Sequence, residues 1–288
     1  MSAKFPIIAV TGSSGSGTTR TQPLFARLFA ELGVRAAFVE GDSFHVYDRE
    51  QSLAALERAN VRGENFSHFG PAANQWEKLE ALFEQFGEQG TGSVRRYLHT
   101  EAEARDAGQA VGSFTPWQPL PAADVLFYEG LHGGVVAADI DIARHVDLLI
   151  GMTPTVNLEW IQKIHRDTLE RGYDPGAVTQ TILRRMPDYV TYITPQFSRT
   201  DVNFQRVPLV DTSNPFIVRD VPAPEESLGV VHVNPGGRLQ CDFYELLTEI
   251  PDAFLSRPDT LVVRGEHLDL AMELALKPAL EKLLKRPA

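Results

Sequence analysis

The chain has 288 residues, with 38 acidic and 27 basic side chains and a formal net charge of −11. This length supports a full hydrophobic core in one large domain or two small ones. The acidic balance, without a basic stripe, argues against binding nucleic acid or an anionic membrane surface. Because Cys241 is the one cysteine, no intrachain disulfide and no cysteine-based zinc site can form, and a reducing cytoplasmic location fits best. No apolar run approaches membrane-spanning length.

The first elements of the chain predict a βαβ unit. An apolar, β-branched run predicts a strand over 5–10, apolar spacing predicts a helix over 23–32, and a second strand is expected over 34–39. A strand, a helix and a strand within about forty residues imply a parallel sheet with helices on its faces.

The remaining periodic segments continue this pattern. Further strands are predicted over 124–128, 145–151, 229–233 and 260–263, and further helices over 48–59, 75–86, 157–171, 177–186 and 268–285. Pro187 is expected to break the helix that begins at residue 177. The stretch 94–114 has no clear period and is expected to form an irregular excursion over the active face. We therefore expect one α/β domain over 1–288, with a mostly parallel, mixed sheet flanked by helices.

Eight residues after the first strand have the spacing of a phosphate-binding P-loop. They are Gly12, Ser13, Ser14, Gly15, Ser16, Gly17, Thr18 and Thr19. Glycines let backbone N–H groups converge on nucleotide phosphates, and the next helix adds its positive N-terminal end. Thr19 stands where a hydroxyl group reaches Mg²⁺. Thr18 occupies the position of the usual lysine, so either the missing charge comes from elsewhere or this is an ordinary strand-to-helix turn.

The predicted helix over 157–171 could supply that charge. Lys163, Asp167 and Arg171 are spaced at i, i+4 and i+8, which places them on one face, and Arg166 adjoins them. Three cations within about two helical turns could clamp phosphate oxygens. The alternative is a solvated stripe of salt bridges. A P-loop that lacks its lysine favours the functional interpretation.

Two acidic residues follow predicted strands. Asp42 comes after the second strand and Glu129 after the strand over 124–128. Ligands of open parallel sheets bind at the carboxyl ends of the strands. One carboxylate could therefore act as the base for an acceptor hydroxyl and the other as a Mg²⁺ ligand. Either acid could instead only form a turn or cap a helix.

These motifs closely resemble those of the bacterial phosphoribulokinases over essentially the whole chain. The most specific segments are DSFH at 42–45, YEGLHG at 128–133 and IQKIHRD at 161–167. Threonine at the position of the P-loop lysine is typical of this group. The related uridine and pantothenate kinases normally keep the lysine.

The resemblance implies a P-loop kinase fold and a reaction. The γ-phosphoryl group of MgATP would pass to the C1 hydroxyl of D-ribulose 5-phosphate, giving ribulose 1,5-bisphosphate in the Calvin cycle. By position, the resemblance implies that Asp42 is the base, Glu129 is a metal-associated acid, and Lys163, Arg166 and Asp167 are catalytic. It also implies that His45, Arg49, His99 and Arg171 bind the sugar phosphate.

The resemblance further implies a homo-octamer that NADH activates and AMP inhibits, with Arg184 and Arg185 matching an arginine pair linked to allosteric control. Two alternatives stay open. One is another small-molecule kinase of the uridine and pantothenate kinase group, in which Asp42 would still be the base. The other is a non-catalytic nucleotide-binding or metabolic scaffold protein. The presence of Asp42, Glu129, Thr19 and Asp167 argues against it. An acceptor without a phosphate would not need the four predicted sugar-phosphate ligands together.

Overall fold

The computed structural model describes residues 2, 4–13, 16–170, 172–218 and 220–284, except for the side chains of Thr19 and Glu170. In this part of the chain, eight strands form one mixed sheet. The strands are β1 (Ile7–Gly12), β2 (Ala36–Glu40), β3 (Val125–Gly130), β4 (Leu148–Thr153), β5 (Val202–Pro208), β6 (Ser227–Val233), β7 (Phe254–Arg257) and β8 (Thr260–Arg264). Their order across the sheet is β7-β8-β6-β5-β4-β1-β3-β2.

The sheet has a parallel part and an antiparallel part. Strands β2, β3, β1, β4 and β5 pair in parallel, whereas β6, β8 and β7 continue the sheet in antiparallel register. The α-helices are α1 (Thr21–Glu31), α2 (Arg49–Arg62), α3 (Trp76–Gln89), α4 (Glu101–Ala107), α5 (Val156–His165), α6 (Pro175–Asp188), α7 (Phe243–Glu249) and α8 (Leu268–Leu284). This mixed sheet flanked by helices confirms the predicted fold class.

The alternation of side chains along β1 builds a core on each face of the sheet. Ile8 and Val10 pack with α1 and α8 in one apolar cluster. Ile7 and Ala9 pack with α3 in a second cluster on the opposite face. All four residues are fully buried, so the phosphate loop follows directly on a strand at the centre of the core.

The stretch 94–114 contains a helix that the sequence analysis missed. Thr100 Oγ1 accepts a hydrogen bond from the N–H of Glu103, and Glu103 Oε2 accepts one from the N–H of Thr100. This reciprocal capping box begins α4, and Gly108, with a φ of 64°, ends it. The prediction of an irregular excursion is therefore wrong for Glu101–Ala107.

The predicted break at Pro187 is also wrong, because Pro187 lies inside α6 and the chain continues into a π-helical turn over Tyr189–Ile193. Proline cannot donate to the carbonyl of residue 183. The hydroxyl of Thr191 donates to the Pro187 carbonyl at 2.8 Å, which stabilises the continuation.

Other differences are smaller. The predicted helix over 157–171 is α-helical to His165 and then π-helical over Arg166–Glu170. Strands β5 and β7 and helix α7 were not predicted, and the other elements agree with the predictions apart from their ends. Among the described residues, every helix is too short or too polar to span a lipid bilayer.

Candidate active site

The phosphate loop follows β1 and is shaped by two glycines. A Cβ atom on Gly12 would lie 2.6 Å from Ser16 Oγ and 2.7 Å from Thr18 Cγ2, so only glycine allows this close approach. Gly17 has a φ of 95° and precedes the 3₁₀ turn Thr18–Arg20 that leads into α1. Two backbone N–H groups here are used by the turn itself, because Arg20 donates to the Gly17 carbonyl at 3.1 Å and Thr21 donates to the Thr18 carbonyl. A glycine loop that leads into the N-terminus of a helix is an arrangement that binds phosphate.

Among the described residues, two hydrogen bonds stabilise the phosphate loop. Ser16 donates to the Ser13 carbonyl through its backbone N–H at 3.0 Å and through its hydroxyl at 2.7 Å. Ser14, Gly15 and the side chain of Thr19, all predicted ATP or metal ligands, lie outside the described residues. The described loop residues nevertheless have the fold context that a P-loop requires.

A buried glutamine ties the base of the loop to the segment after β3. Gln196 Oε1 accepts hydrogen bonds from Thr11 Oγ1 at 2.7 Å and from the N–H of Gly134 at 2.9 Å. Its Nε2 donates to the carbonyls of Leu131 and Tyr192. Gln196 thus fixes the end of β1 relative to the segment that carries Glu129.

Thr18, at the lysine position, is buried beside Glu129. Thr18 is 7% exposed, and Glu129 stands near the carboxyl end of β3. Burial raises the pKa of Glu129, a hydrogen bond with Thr18 lowers it, and the negative charges of Asp42 and Glu40 raise it again. The negative charges of Asp42 and Glu40 thus act on Glu129 at this edge of the sheet, and a bound cation would offset their repulsion.

Asp42, the predicted base, follows β2 in the 3₁₀ turn Gly41–Phe44. Its Oδ1 lies 3.1 Å from His45 Nε2 and its Oδ2 lies 3.6 Å from His99 Nε2. Burial favours the neutral acid, but the hydrogen bond from His45 and the charges of His45 and His99 hold the pKa of Asp42 well below its usual range. Asp42 is therefore ionised throughout the physiological pH range.

Two further predicted residues, His99 and Arg49, lie on either side of Tyr97. The rings of Tyr97 and His99 are 4.9 Å apart. Arg49 begins α2, and its N–H donates to the carbonyl of Gly112 at 2.9 Å. Burial raises the pKa of Tyr97, and a hydrogen bond with Arg49 lowers it. The structure thus brings Asp42, His99 and Arg49 into one connected group.

Helix α5 and the π-helical turn after it carry the predicted cations. Lys163 donates to Asp167 Oδ2 across one turn, and Arg166 Nε lies 3.3 Å from Asp167 Oδ1. Asp167 is 5% exposed, so a buried carboxylate orients both cations. Burial and the charge of Arg185 lower the pKa of Lys163, while Asp167 raises it. Arg171, the last predicted cation, lies outside the described residues.

Arg185 and His68 belong to this site, although the sequence analysis did not place them there. Arg185, on α6, stands 5.6 Å from the ring of Phe69 and acts electrostatically on Lys163, His45 and His68. Burial lowers the pKa of Arg185 to about 10. The rings of His68 and His45 are 4.8 Å apart. The contacts that place Arg185 and His68 in this site join segments that are distant from each other in the sequence.

The phosphate loop, the carboxylates and α5 line one open cleft of about 810 Å³. Its walls include Gly12, Gly17, Thr18, Asp42, Glu129, His99 and Arg166. In the part of the chain that the structure describes, no three His, Cys, Asp or Glu side chains form a metal-binding cluster. The cleft can hold an anionic ligand between a glycine loop and a cationic helix, next to an ionised carboxylate.

This fold, with a P-loop-type strand-loop-helix and a carboxylate facing it, defines a P-loop kinase. The chain belongs to the phosphoribulokinase / uridine kinase family, whose profile matches residues 7–213. Membership of this kinase family implies the use of ATP.

Individual relatives match over almost the whole chain. The plasmid-encoded phosphoribulokinase of Cupriavidus necator is 54% identical over 99% of this chain and 98% of its own length. The phosphoribulokinase of Rhizobium meliloti is 51% identical, with the same coverage of both chains. Among solved structures, the phosphoribulokinase of Rhodobacter spheroides is 47% identical, with a TM-score of 0.88 over 98% of both chains.

Proposed function

We propose that the protein is an ATP-dependent sugar-phosphate kinase that converts D-ribulose 5-phosphate to ribulose 1,5-bisphosphate. The observation that carries this proposal is the cleft in which the phosphate loop, Asp42 and the cationic helix meet. The relatives that match over 98% or more of both chains are named phosphoribulokinases, which supports ribulose 5-phosphate as the acceptor.

The nucleotide would bind at the phosphate loop. Gly12 and Gly17 give the backbone the shape to surround phosphates, and the start of α1 directs N–H groups toward them. Glu129 and Thr19 would hold Mg²⁺, since both offer the oxygen ligands that Mg²⁺ prefers and substrate phosphates complete its shell. Bound Mg²⁺ neutralises charge on the phosphates. The mutual repulsion of Glu129, Asp42 and Glu40 is consistent with a cation at this edge.

Asp42 would position and deprotonate the C1 hydroxyl group of the acceptor. Its carboxylate is ionised and fixed by His45 on one side and His99 on the other. A carboxylate with a low pKa is a weak base, so its main contribution is orientation of the hydroxyl group. The proton would pass to Asp42 as the hydroxyl oxygen bonds to the γ-phosphorus and the bond from that phosphorus to the leaving oxygen of ADP breaks.

Lys163, Arg166 and Arg185 would stabilise the charge of the transferred group. Asp167 preorganises the first two, so little rearrangement is needed during the reaction. Arg185 Nε is buried and has no hydrogen-bond partner among the described residues. A buried cation with an unpaired donor suits an anionic ligand.

Arg49, His99, His45 and Arg171 are proposed to bind the phosphate of the acceptor. His99 lies 3.6 Å from Asp42 and contacts Tyr97, which is hydrogen-bonded to Arg49. These contacts support an acceptor site on this side of the base. A uridine or pantothenate kinase acts on an acceptor without a phosphate and would not need this cationic group. The cluster therefore favours a sugar phosphate over that alternative.

A substrate panel tests this proposal. Purified protein with MgATP should release ADP with ribulose 5-phosphate, and far less with ribulose, uridine or pantothenate. The matched control is Asp42→Asn, which keeps the shape of the side chain and should abolish the acceptor-dependent signal. ADP release that depends on uridine or pantothenate would assign the chain to the alternative. The absence of acceptor-dependent release with every compound would support a non-catalytic protein.

Several statements stay predictions: that the protein is a homo-octamer, that NADH activates it, that AMP inhibits it, that Arg184 and Arg185 have an allosteric role, and that the protein is cytoplasmic. That residues 1–288 form a single domain is also a prediction. Light scattering and assays with each effector test the first three directly.

A further inference from the structure

The imidazole ring of His45 is hydrogen-bonded through both of its nitrogens. Nδ1 lies 2.9 Å from Oδ1 of Asn74, and Nε2 lies 3.1 Å from Oδ1 of Asp42. The side chain is only 10% exposed. Flipping the ring would put carbon atoms at both positions and break both contacts. The two partners therefore fix the orientation of the ring.

The amide group of Asn74 is fixed as well. Its Nδ2 donates to the carbonyl of His68 at 2.9 Å and to the carbonyl of Gly70 at 2.7 Å. Exchanging the amide nitrogen and oxygen would set the oxygen against two carbonyl oxygens, which is repulsive. Oδ1 of Asn74 can only accept a hydrogen bond, so the proton between the two side chains belongs to Nδ1 of His45.

On the other side of the ring, Nε2 faces an ionised carboxylate. A carboxylate only accepts hydrogen bonds, so Nε2 must also carry a proton. We propose that Asn74 is a positioning residue that holds the His45 imidazole doubly protonated, and therefore cationic, beside Asp42. The effect on the acceptor rests on the proposed function, whereas the protonation state of the ring does not.

Asn74 matters because it blocks the easier of two routes to a neutral ring. Loss of the Nε2 proton would set a lone pair against the Asp42 carboxylate. Loss of the Nδ1 proton would keep the hydrogen bond to Asp42, but with Asn74 present it sets a lone pair against Oδ1. Burial works against the charged ring, yet the hydrogen bonds with Asp42 and Asn74 raise the pKa of His45. Without Asn74, the ring could become neutral and still donate to Asp42.

The other groups that face His45 do not replace this arrangement. His68 and His132 are neutral, because burial lowers the pKa of each to about 3. Arg185 is cationic and lowers the pKa of His45. Asp42 and Arg185 thus have opposite effects on the pKa of the ring. Arg95, which is also cationic, donates to the backbone carbonyl of His45. Lys163 acts on these residues through His68, because its positive charge lowers the pKa of His68.

The consequence is a fixed positive charge at the acceptor side of the site through neutral pH. A cationic His45 attracts the sugar phosphate. Its charge-assisted hydrogen bond also fixes the orientation of the Asp42 carboxylate. We therefore expect the variant Asn74→Ala to bind the acceptor less well as pH rises, while ATP binding at the phosphate loop is unaffected.

Nitrogen-15 NMR of the histidine rings tests the protonation state directly. The His45 signals are identified by their loss in His45→Asn. At neutral pH, both ring nitrogens should be protonated in the wild type, and Nδ1 should lose its proton at a lower pH in Asn74→Ala than in the wild type. The matched control is Gln75→Ala, because Gln75 donates to the backbone carbonyl of His45 at 3.1 Å but not to its ring. A neutral His45 ring in the wild type at neutral pH overturns the proposal, whether or not Asn74→Ala folds.

Kinetics test the functional consequence. The alkaline limb of kcat/KM for ribulose 5-phosphate should move to lower pH by about one unit in Asn74→Ala, the order expected from loss of one hydrogen bond to a charged ring. The profile for ATP and both profiles of Gln75→Ala should match the wild type. An unmoved alkaline limb in Asn74→Ala would contradict the positioning role. Absence of turnover with ribulose 5-phosphate in the wild type would instead refute the proposed function and leave the NMR result decisive.

Discussion

Replacing Glu159 by glutamine should stabilise the protein at alkaline pH. Glu159 lies on α5 and is 6% exposed, and the hydroxyl of Tyr189 donates to its Oε2 at 3.3 Å. Burial raises the pKa of this carboxyl from 4.5 to about 7, and the charges of Lys163 and Arg185 offset the effect only in part. The folded protein must therefore accommodate a poorly solvated charge at high pH.

The sign follows from proton linkage. Because the folded pKa is raised, the stabilising contribution of neutral Glu159 is complete below the unfolded pKa of 4.5 and is lost as the pH rises through about 7. The difference between these two values corresponds to roughly 3 kcal/mol at about 1.4 kcal/mol per unit. Glutamine does not titrate and keeps an oxygen for Tyr189. The stability of Glu159→Gln relative to wild type should therefore rise by about 2–3 kcal/mol between about pH 5 and about pH 8.

Thermal unfolding followed by circular dichroism measures this difference. For a chain of this size, the variant should gain about 5 °C in Tm over the wild type on going from the lower to the higher pH. The control is Glu57→Gln, which removes an exposed carboxylate from α2 and should give the same difference at both pH values. If Glu159→Gln followed the wild type at every pH, or lost stability at high pH, the carboxyl group would be ionised without penalty and the reasoning would fail.

Three further predictions concern steady-state kinetics. The activity of Thr18→Ala should stay within about tenfold of the wild-type activity. Lys163→Ala should lose far more activity, mainly in kcat, because it removes preorganised charge. Equal losses in the two variants would show that the charge of the P-loop lysine has not moved to α5. Asp42→Asn should lower kcat by about 10² or more with little change in KM, and near-normal turnover would exclude Asp42 as the base. Arg49→Ala should raise KM for ribulose 5-phosphate and leave KM for ATP unchanged; the reverse pattern would assign Arg49 to the nucleotide.

Much of the fold could be predicted because its buried strands have strong local signals. Strand β1 is fully buried and begins with the apolar run Ile7–Val10, so its composition alone predicts a buried strand. Strand β7 has no such signal, because all four of its residues are exposed. The pairing that makes it a strand comes from β8. Helix α4 is a different case, since the capping box of Thr100 and Glu103 and the terminal Gly108 are visible in the sequence.

The candidate site likewise contains residues whose positions the sequence could predict and residues whose positions it could not. Asp42 and Glu129 follow strands whose carboxyl ends meet at one edge, so sequence could predict that they lie close together. The pairing of Lys163 with Asp167 follows from helical spacing. Asn74, Arg185 and Glu159 could not be predicted, because their roles depend on contacts between segments that only the tertiary structure brings together. The family and the activity predicted from the motifs are confirmed by the relatives.

The missing lysine of the phosphate loop has a physical counterpart in the arrangement of charges. A lysine at position 18 would be buried beside Glu129, since Thr18 already occupies that place at 7% exposure. The cations stand instead on α5 and α6, where the buried Asp167 orients Lys163 and Arg166 and where Arg185 adds a further charge. In the proposed mechanism, the glycine loop would position the nucleotide, while the packing of α5 against α6 would position the charge for phosphoryl transfer. A change in that packing would alter turnover and leave the contacts of the phosphate loop with the nucleotide in place.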